Sequence, residues 1–337
     1  MKFTHRLGKE PRDHKAAVLG SSNLQNVKFV RGWKWALSCA LLATLALVGS
    51  ACAAESAPQE AQLKWFDGLG RQVSLDGPAQ RIVSLAPSNT EVLFAIGAGP
   101  QLVGRDELSD YPAEAAEVTS IGNTFGELNT EAIVSLQPDL VLAADITAPE
   151  QVAALEALGL TIYLLPNPVE FEGLYANLRR AGELTGHAAE ASELSTQLEA
   201  RVVAVAERTG AVDRPRVFYE ADGSDPTAPW TTGTGTFQTV LIDLAGGENV
   251  AAGLTGWAQF SLEQLVATDP QVIVFASGPW VPTTVESLGA RAGWGKLSAV
   301  AEGRVHPIDT NWVDRPGPRL VDALEAMARF IHPELFD

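Results

Sequence analysis

Two carboxylates recur in the same sequence setting. Glu131 leads Glu131-Ala132-Ile133-Val134-Ser135-Leu136-Gln137-Pro138, Glu263 leads Glu263-Gln264-Leu265-Val266-Ala267-Thr268-Asp269-Pro270, and each reaches a proline seven residues on. If the two halves are related by rough symmetry, this repeat puts one carboxylate on the same face of each, in position to dock onto a partner. The competing reading is a first-turn acid favoured by the helix dipole. Trp65, Trp230, Trp257, Trp280, Trp294 and Trp312 supply large rings, most of them next to Gly or Pro in turn-rich stretches. Such positions face a partner more readily than core tryptophans do, although each ring could equally be packed. Asn311-Trp312-Val313-Asp314-Arg315 adds polar groups. Asn311 can donate and accept, and the Arg315 fork suits amides or carboxylates unless a nearby acid such as Asp314 takes it.

Catalytic patterns are missing. The chain has no Gly-x-Ser-x-Gly, Walker or His-Glu-x-x-His motif. Gly233-Thr234-Gly235 alone is explained by a tight turn before a helix over 236–245. His187, His306 and His332 lack paired ligand spacing, so no metal and no resident cofactor are expected. Both cysteines, Cys39 and Cys52, fall in the first 53 residues, which leaves the body without a thiol nucleophile, thiolate site or disulfide. Residues 54–337 hold 16 basic and 39 acidic side chains, a formal charge of −23. Such a body is repelled by phosphate backbones, so nucleic acid is excluded as a partner.

The elements that position these groups can be read from the pattern. Apolar runs at 81–85, 139–143, 160–164, 215–219, 271–275 and 304–308 alternate with helical stretches, which implies parallel sheets with helices on both faces. Leu63–Leu75 reads as a small hairpin. Pro87-Ser88-Asn89-Thr90-Glu91 reads as capping residues for a helix from Val92 to Ile96, closed by Gly97 and Gly99. From Phe171 to Arg208 there is no proline, and the helical pattern breaks only near Gly186-His187. Its second part spans about 30 Å as helix, the width of a small domain. The echoed Glu-to-Pro segments make the two halves similar. The expected architecture is two Rossmann-like α/β lobes with mostly parallel sheets, joined by one long rigid helix. The expected divisions are an export segment over 1–53, a tether and hairpin over 54–78, an N-terminal lobe over 79–186, a connecting helix over 187–210 and a C-terminal lobe over 211–337.

Trp35 to Val48 is a 14-residue apolar run preceded by Lys28, Arg31 and Lys34 and followed by small residues. That is the pattern of an export signal, with a permanent anchor helix as the alternative. Ala51-Cys52-Ala53 fits ordinary cleavage. Gly49-Ser50-Ala51-Cys52 resembles a lipoprotein box that would lipidate Cys52, and the Ala/Glu/Ser/Pro/Gln stretch 53–62 reads as its tether. Either route places the body outside the cytoplasmic membrane.

The stretches RIVSLAPSNTEVLFAIGAG (81–99), SDYPAEA (109–115), Glu131–Leu142, APWTTGTGTF (228–237), GGEN (246–249), Glu263–Val274 and NWVDRPGPR (311–319) resemble the substrate-binding proteins of ABC importers for cobalamin and iron-siderophores, closest to the cobalamin branch. The resemblance covers about residues 80 to 330. It implies a class III periplasmic-binding-protein fold, a monomer, a ligand held between the lobes and no enzymatic activity. It further implies that Glu131 and Glu263 dock onto arginines of the membrane permease. Tyr111, Phe125, Trp230 and Trp257 fall at or near cleft-lining positions, with Phe125 where an indole is usual. Asn311, where the family often has Asp, Trp312 and Arg315 belong to the segment that faces corrin side chains. The implied function is capture of cobalamin or a related corrinoid for delivery to the permease; an iron-siderophore or haem receptor is the alternative, and a secreted two-lobe enzyme using Asp/Glu chemistry the remote one.

Overall fold

A computed structural model describes residues 63–336 apart from 280 and 282. The export segment, Cys52 and Trp280 lie outside the described residues. The opening hairpin pairs β1 (Leu63–Phe66) with β2 (Gln72–Leu75). The N-terminal lobe contains β3 (Ile82–Ser84), α1 (Pro87–Ala95), β4 (Leu102–Arg105), α2 (Thr130–Ser135), β5 (Leu140–Ala144), α3 (Pro149–Ala157), β6 (Ile162–Leu165) and α4 (Phe171–Thr185). Its four strands run parallel in the order β4-β3-β5-β6. The helix α5 (Ala188–Thr209) crosses to the second lobe.

That lobe contains β7 (Arg216–Glu220), β8 (Trp230–Thr232), α6 (Phe237–Leu244), β9 (Glu248–Asn249), β10 (Trp257–Gln259), α7 (Leu262–Thr268) and β11 (Val272–Ser277). There follow α8 (Val285–Gly289), α9 (Ser298–Ala301), β12 (Val305–Asp309), α10 (Thr310–Val313) and α11 (Leu320–Ile331). The strands β12-β11-β7-β9 form the second parallel sheet, while β8 and β10 make a separate antiparallel ribbon.

Strand periodicity explains the layers. Successive side chains of a strand point to opposite faces, so β5 sends Leu140 and Leu142 into one core and Val141 and Ala143 into another. The β11 strand divides in the same way, with Val272, Val274 and Ala276 on one face and Ile273 and Phe275 on the other. One face of each sheet packs into a single apolar core that also takes Leu198, Val202 and Val205 of α5 and Leu324 and Met327 of α11. The connector is therefore a structural wall, not a free spacer. Arg201 fixes it further, donating to Glu325 at 2.8 Å and Asp322 at 2.6 Å on α11.

Two local readings change. The expected capping residues Ser88, Asn89, Thr90 and Glu91 lie inside α1 and are buried, because Pro87 supplies the first turn and no side chain caps the helix. Their side chains turn inward instead: Asn89 donates to the carbonyls of Leu142 and Ala143, and Thr90 to Ser84. The stretch around Trp230, expected as loop, is a strand of the β8/β10 ribbon.

Candidate functional site

Residues after the carboxyl ends of β3, β4 and β12 meet, which turns the carboxyl edges of the two sheets toward each other. In open parallel sheets that edge is where ligands bind. Tyr111 follows β4 and is 47% exposed; Phe125 lies on the next loop of the same lobe and is 60% exposed. The Phe125 N–H donates to Asn123 Oδ1 at 2.6 Å, an Asx turn that shapes this loop.

The ribbon carries the second pair of rings. Trp257 stands opposite Thr232 and Trp230 opposite Gln259, so the two-residue period puts both indoles on one face as diagonal neighbours. Trp230 is 41% exposed and Trp257 52%, unusually open for this residue type. The ribbon is tied to the two residues that follow β7: Ala221 N–H donates to Trp230 O at 2.9 Å and Trp230 N–H to Asp222 O at 2.8 Å. Beneath this junction the buried Glu220 pairs with Arg291, whose guanidinium also lies 4.7 Å from the Trp294 ring centre. Burial pushes the Glu220 carboxyl up, and Arg291 opposes that shift.

The segment 310–319, which follows β12, carries the remaining polar groups. Asp309 caps α10, accepting from Asn311 N–H at 2.8 Å, and the half-buried Asn311 amide has no hydrogen-bonding partner among the described residues. Trp312 is half-buried against the main core. Asp314 turns inward, accepting from Tyr219 Oη at 2.9 Å and Gln238 Nε2 at 3.1 Å, and burial pushes its carboxyl up to about 6. Asp314 is therefore not the partner of Arg315. Arg315 reaches across to the other lobe, donating to Asp110 at 2.7 Å and the Leu108 carbonyl at 3.2 Å.

Glu131 and Glu263 lie on different lobes, both exposed, each the second residue of its short helix. Asn129 caps α2 and Ser261 caps α7, accepting from the N–H three residues on. Neither carboxylate takes part in an ion pair among the described residues. The duplication extends beyond the sequence echo. Both segments end on a left-handed residue, Gln137 at φ 49° and Asp269 at φ 41°, followed by proline. Arg81 donates to the Leu136 and Gln137 carbonyls, and Arg216 to those of Thr268 and Asp269. Asp139 accepts from Arg81 N–H and Gln271 from Arg216 N–H, both at 3.0 Å. Sequence reading missed these two arginines; their place at the start of the first strand of each lobe's sheet, Arg81 just before β3 and Arg216 opening β7, was the available signal.

Twin α/β lobes, each built on a parallel sheet and joined through a helix packed into their shared core, are the architecture of a two-lobe solute-binding receptor. The periplasmic binding protein model matches residues 82–311, and the chain belongs to that family. The uncharacterized ABC transporter substrate-binding lipoprotein YvrC of Bacillus subtilis is 30% identical over 309 residues, covering 88% of this chain and 96% of that one. The vitamin B12 binding protein BtuF of Vibrio cholerae shares the fold with a TM-score of 0.65 and 29% identity over 76% of this chain and 98% of its own. The heme-binding protein RhuT of Roseiflexus sp. RS-1 does so with a TM-score of 0.68 and 27% identity, over 76% and 99%. The chain is thus a binding component of an ABC transporter that works outside the cytoplasmic membrane, and not an enzyme.

Proposed function

We propose that the protein captures cobalamin or a related corrinoid between its lobes and hands it to a membrane permease, with Glu131 and Glu263 as the docking carboxylates. The observation that carries the ligand reading is the pair of open indoles on one ribbon face, with Tyr111 and Phe125 exposed on the opposite lobe. Rings of this kind offer broad, stiff contact area to a large flat solute. Asn311 adds an amide free to meet the amide side chains of a corrinoid. The apparatus for docking is the twin set of capped helices whose last turns are held by Arg81 and Arg216. In this reading Cys52 is the lipid anchor, and no cofactor takes part besides the transported solute.

A haem or ferric-siderophore receptor is the second reading, favoured by Tyr111, since a phenol oxygen is an accepted iron ligand. Titration separates the two. Cyanocobalamin is expected to quench tryptophan fluorescence at one equivalent, and Trp230→Ala and Trp257→Ala each to weaken binding by about tenfold or more. Haemin or a ferric siderophore binding instead, with loss in Tyr111→Phe, would reverse the assignment.

A further inference from the structure

The polar contacts that join the loops of the two lobes concentrate at one place. Glu91 sits on α1 of the first lobe, with its side chain 2% exposed. Arg319 of the second lobe donates to it from Nε at 2.9 Å and again from Nη2, a two-pronged pairing. Arg315 stands 3.7 Å from the same carboxylate while it holds Asp110 and the Leu108 carbonyl. The Arg319 guanidinium also lies over the Tyr111 ring, 4.0 Å from its centre. Gly317, between the two arginines, permits the approach: a Cβ there would stand 3.2 Å from Glu91 Oε2. Two cations from one lobe thus meet two anions and one ring of the other.

We propose that Glu91, Arg319 and Arg315 form a latch across the cleft floor that fixes the separation of the lobes and the orientation of Tyr111. They are positioning residues, acting on the cleft through the backbone and through Tyr111. The bidentate pairing holds the lobes within hydrogen-bond tolerance, where an apolar contact would allow sliding. Removing one partner of a buried pair leaves an uncompensated charge, whereas removing both does not. Stability and geometry should therefore separate between single and double variants. The inference rests on the two-lobe receptor reading but not on the identity of the ligand.

The test uses the full chain in detergent, with Cys39→Ser and Cys52→Ser. Spin labels go at Val134→Cys and Val266→Cys, exposed positions on α2 and α7. Electron–electron distances are read without ligand, together with hydrogen exchange over 108–112. The parent is expected to give one narrow distance. In Glu91→Gln the distance should lengthen and broaden, the melting temperature fall, and exchange over 108–112 speed up by about tenfold or more. Adding Arg319→Gln should restore the melting temperature while leaving the distance broad. Arg319→Lys, which keeps the charge and loses the fork, should broaden it in part and serves if Glu91→Gln does not fold. A parent-like distance in the double variant, or in Arg319→Lys with exchange unchanged, would overturn the latch. Because no ligand enters the measurement, failure of the corrinoid reading would appear only in the titration above.

Discussion

Asp314 has a carboxyl pushed up to about 6 by burial, while Tyr219 and Gln238 hold its oxygen. A carboxylic acid with a raised folded-state pKa contributes stability that is fully present below its ordinary value near 4 and is lost as pH rises through 6. An asparagine at this position would keep the accepting oxygen and lose the titration. Asp314→Asn is therefore expected to match the parent near pH 4 and to exceed it above pH 7 by about 1–3 kcal/mol. Melting curves from pH 4 to 8 check this, and a constant offset would refute it. Burial also raises the carboxyls of Glu91, Asp106 and Glu220, so the quantity that isolates Asp314 is the difference between parent and variant at each pH. Trp230 and Trp257, beside Pro229 and Gly256, are open as their neighbours argued, but Trp294 between Gly293 and Gly295 is fully buried, so flanking Gly and Pro did not decide between partner-facing and core rings. The partner of Arg315 could not be anticipated: Asp110 lies 205 residues away, and only the fold of two lobes brings it near.

The duplicated helix stops allow a comparison between elements. Gln137 and Asp269 occupy the same left-handed position, which costs a side chain about 1 kcal/mol or more and glycine little. Gln137 contributes its carbonyl there, a backbone group that glycine retains. Asp269 contributes its carboxylate as well, accepting from Ser298 N–H at 2.8 Å and Oγ at 2.7 Å, bonds that hold its own carboxyl below the usual range. Gln137→Gly should thus raise stability by up to about 1 kcal/mol, while Asp269→Gly should lower it by about 1–2 kcal/mol. Denaturant unfolding reads both, and equal signs would sink the argument. The sequence made the Glu-to-Pro echo visible because seven-residue spacing survives in one dimension. The β8/β10 ribbon was hidden, since a three-residue strand leaves no period to detect and depends on a partner 27 residues on.

At the scale of the molecule, the question is whether two carboxylates or an acidic surface make the approach to the permease. The body carries −23 overall, and a diffuse field would steer it toward any cationic surface. Paired carboxylates at matching places on twin lobes instead specify register, which a distributed charge cannot do. Reversing Glu131 and Glu263 to lysine changes the charge by four, and so does reversing Glu199 and Glu207, exposed on α5. If register matters, the first double variant should reduce cyanocobalamin uptake by cells carrying it by at least about tenfold. Ligand binding by the purified protein should stay within about twofold, because neither carboxylate is among the residues proposed to hold the ligand. The second double variant should leave both measurements near the parent. Equal loss of uptake from the two would assign the approach to net charge alone, and loss of soluble binding in the first would make Glu131 and Glu263 part of the lobes' own structure. Single reversals discriminate further: a receptor read by two separate permease surfaces should lose part of its uptake with each, whereas one dominant contact would concentrate the loss in a single lobe.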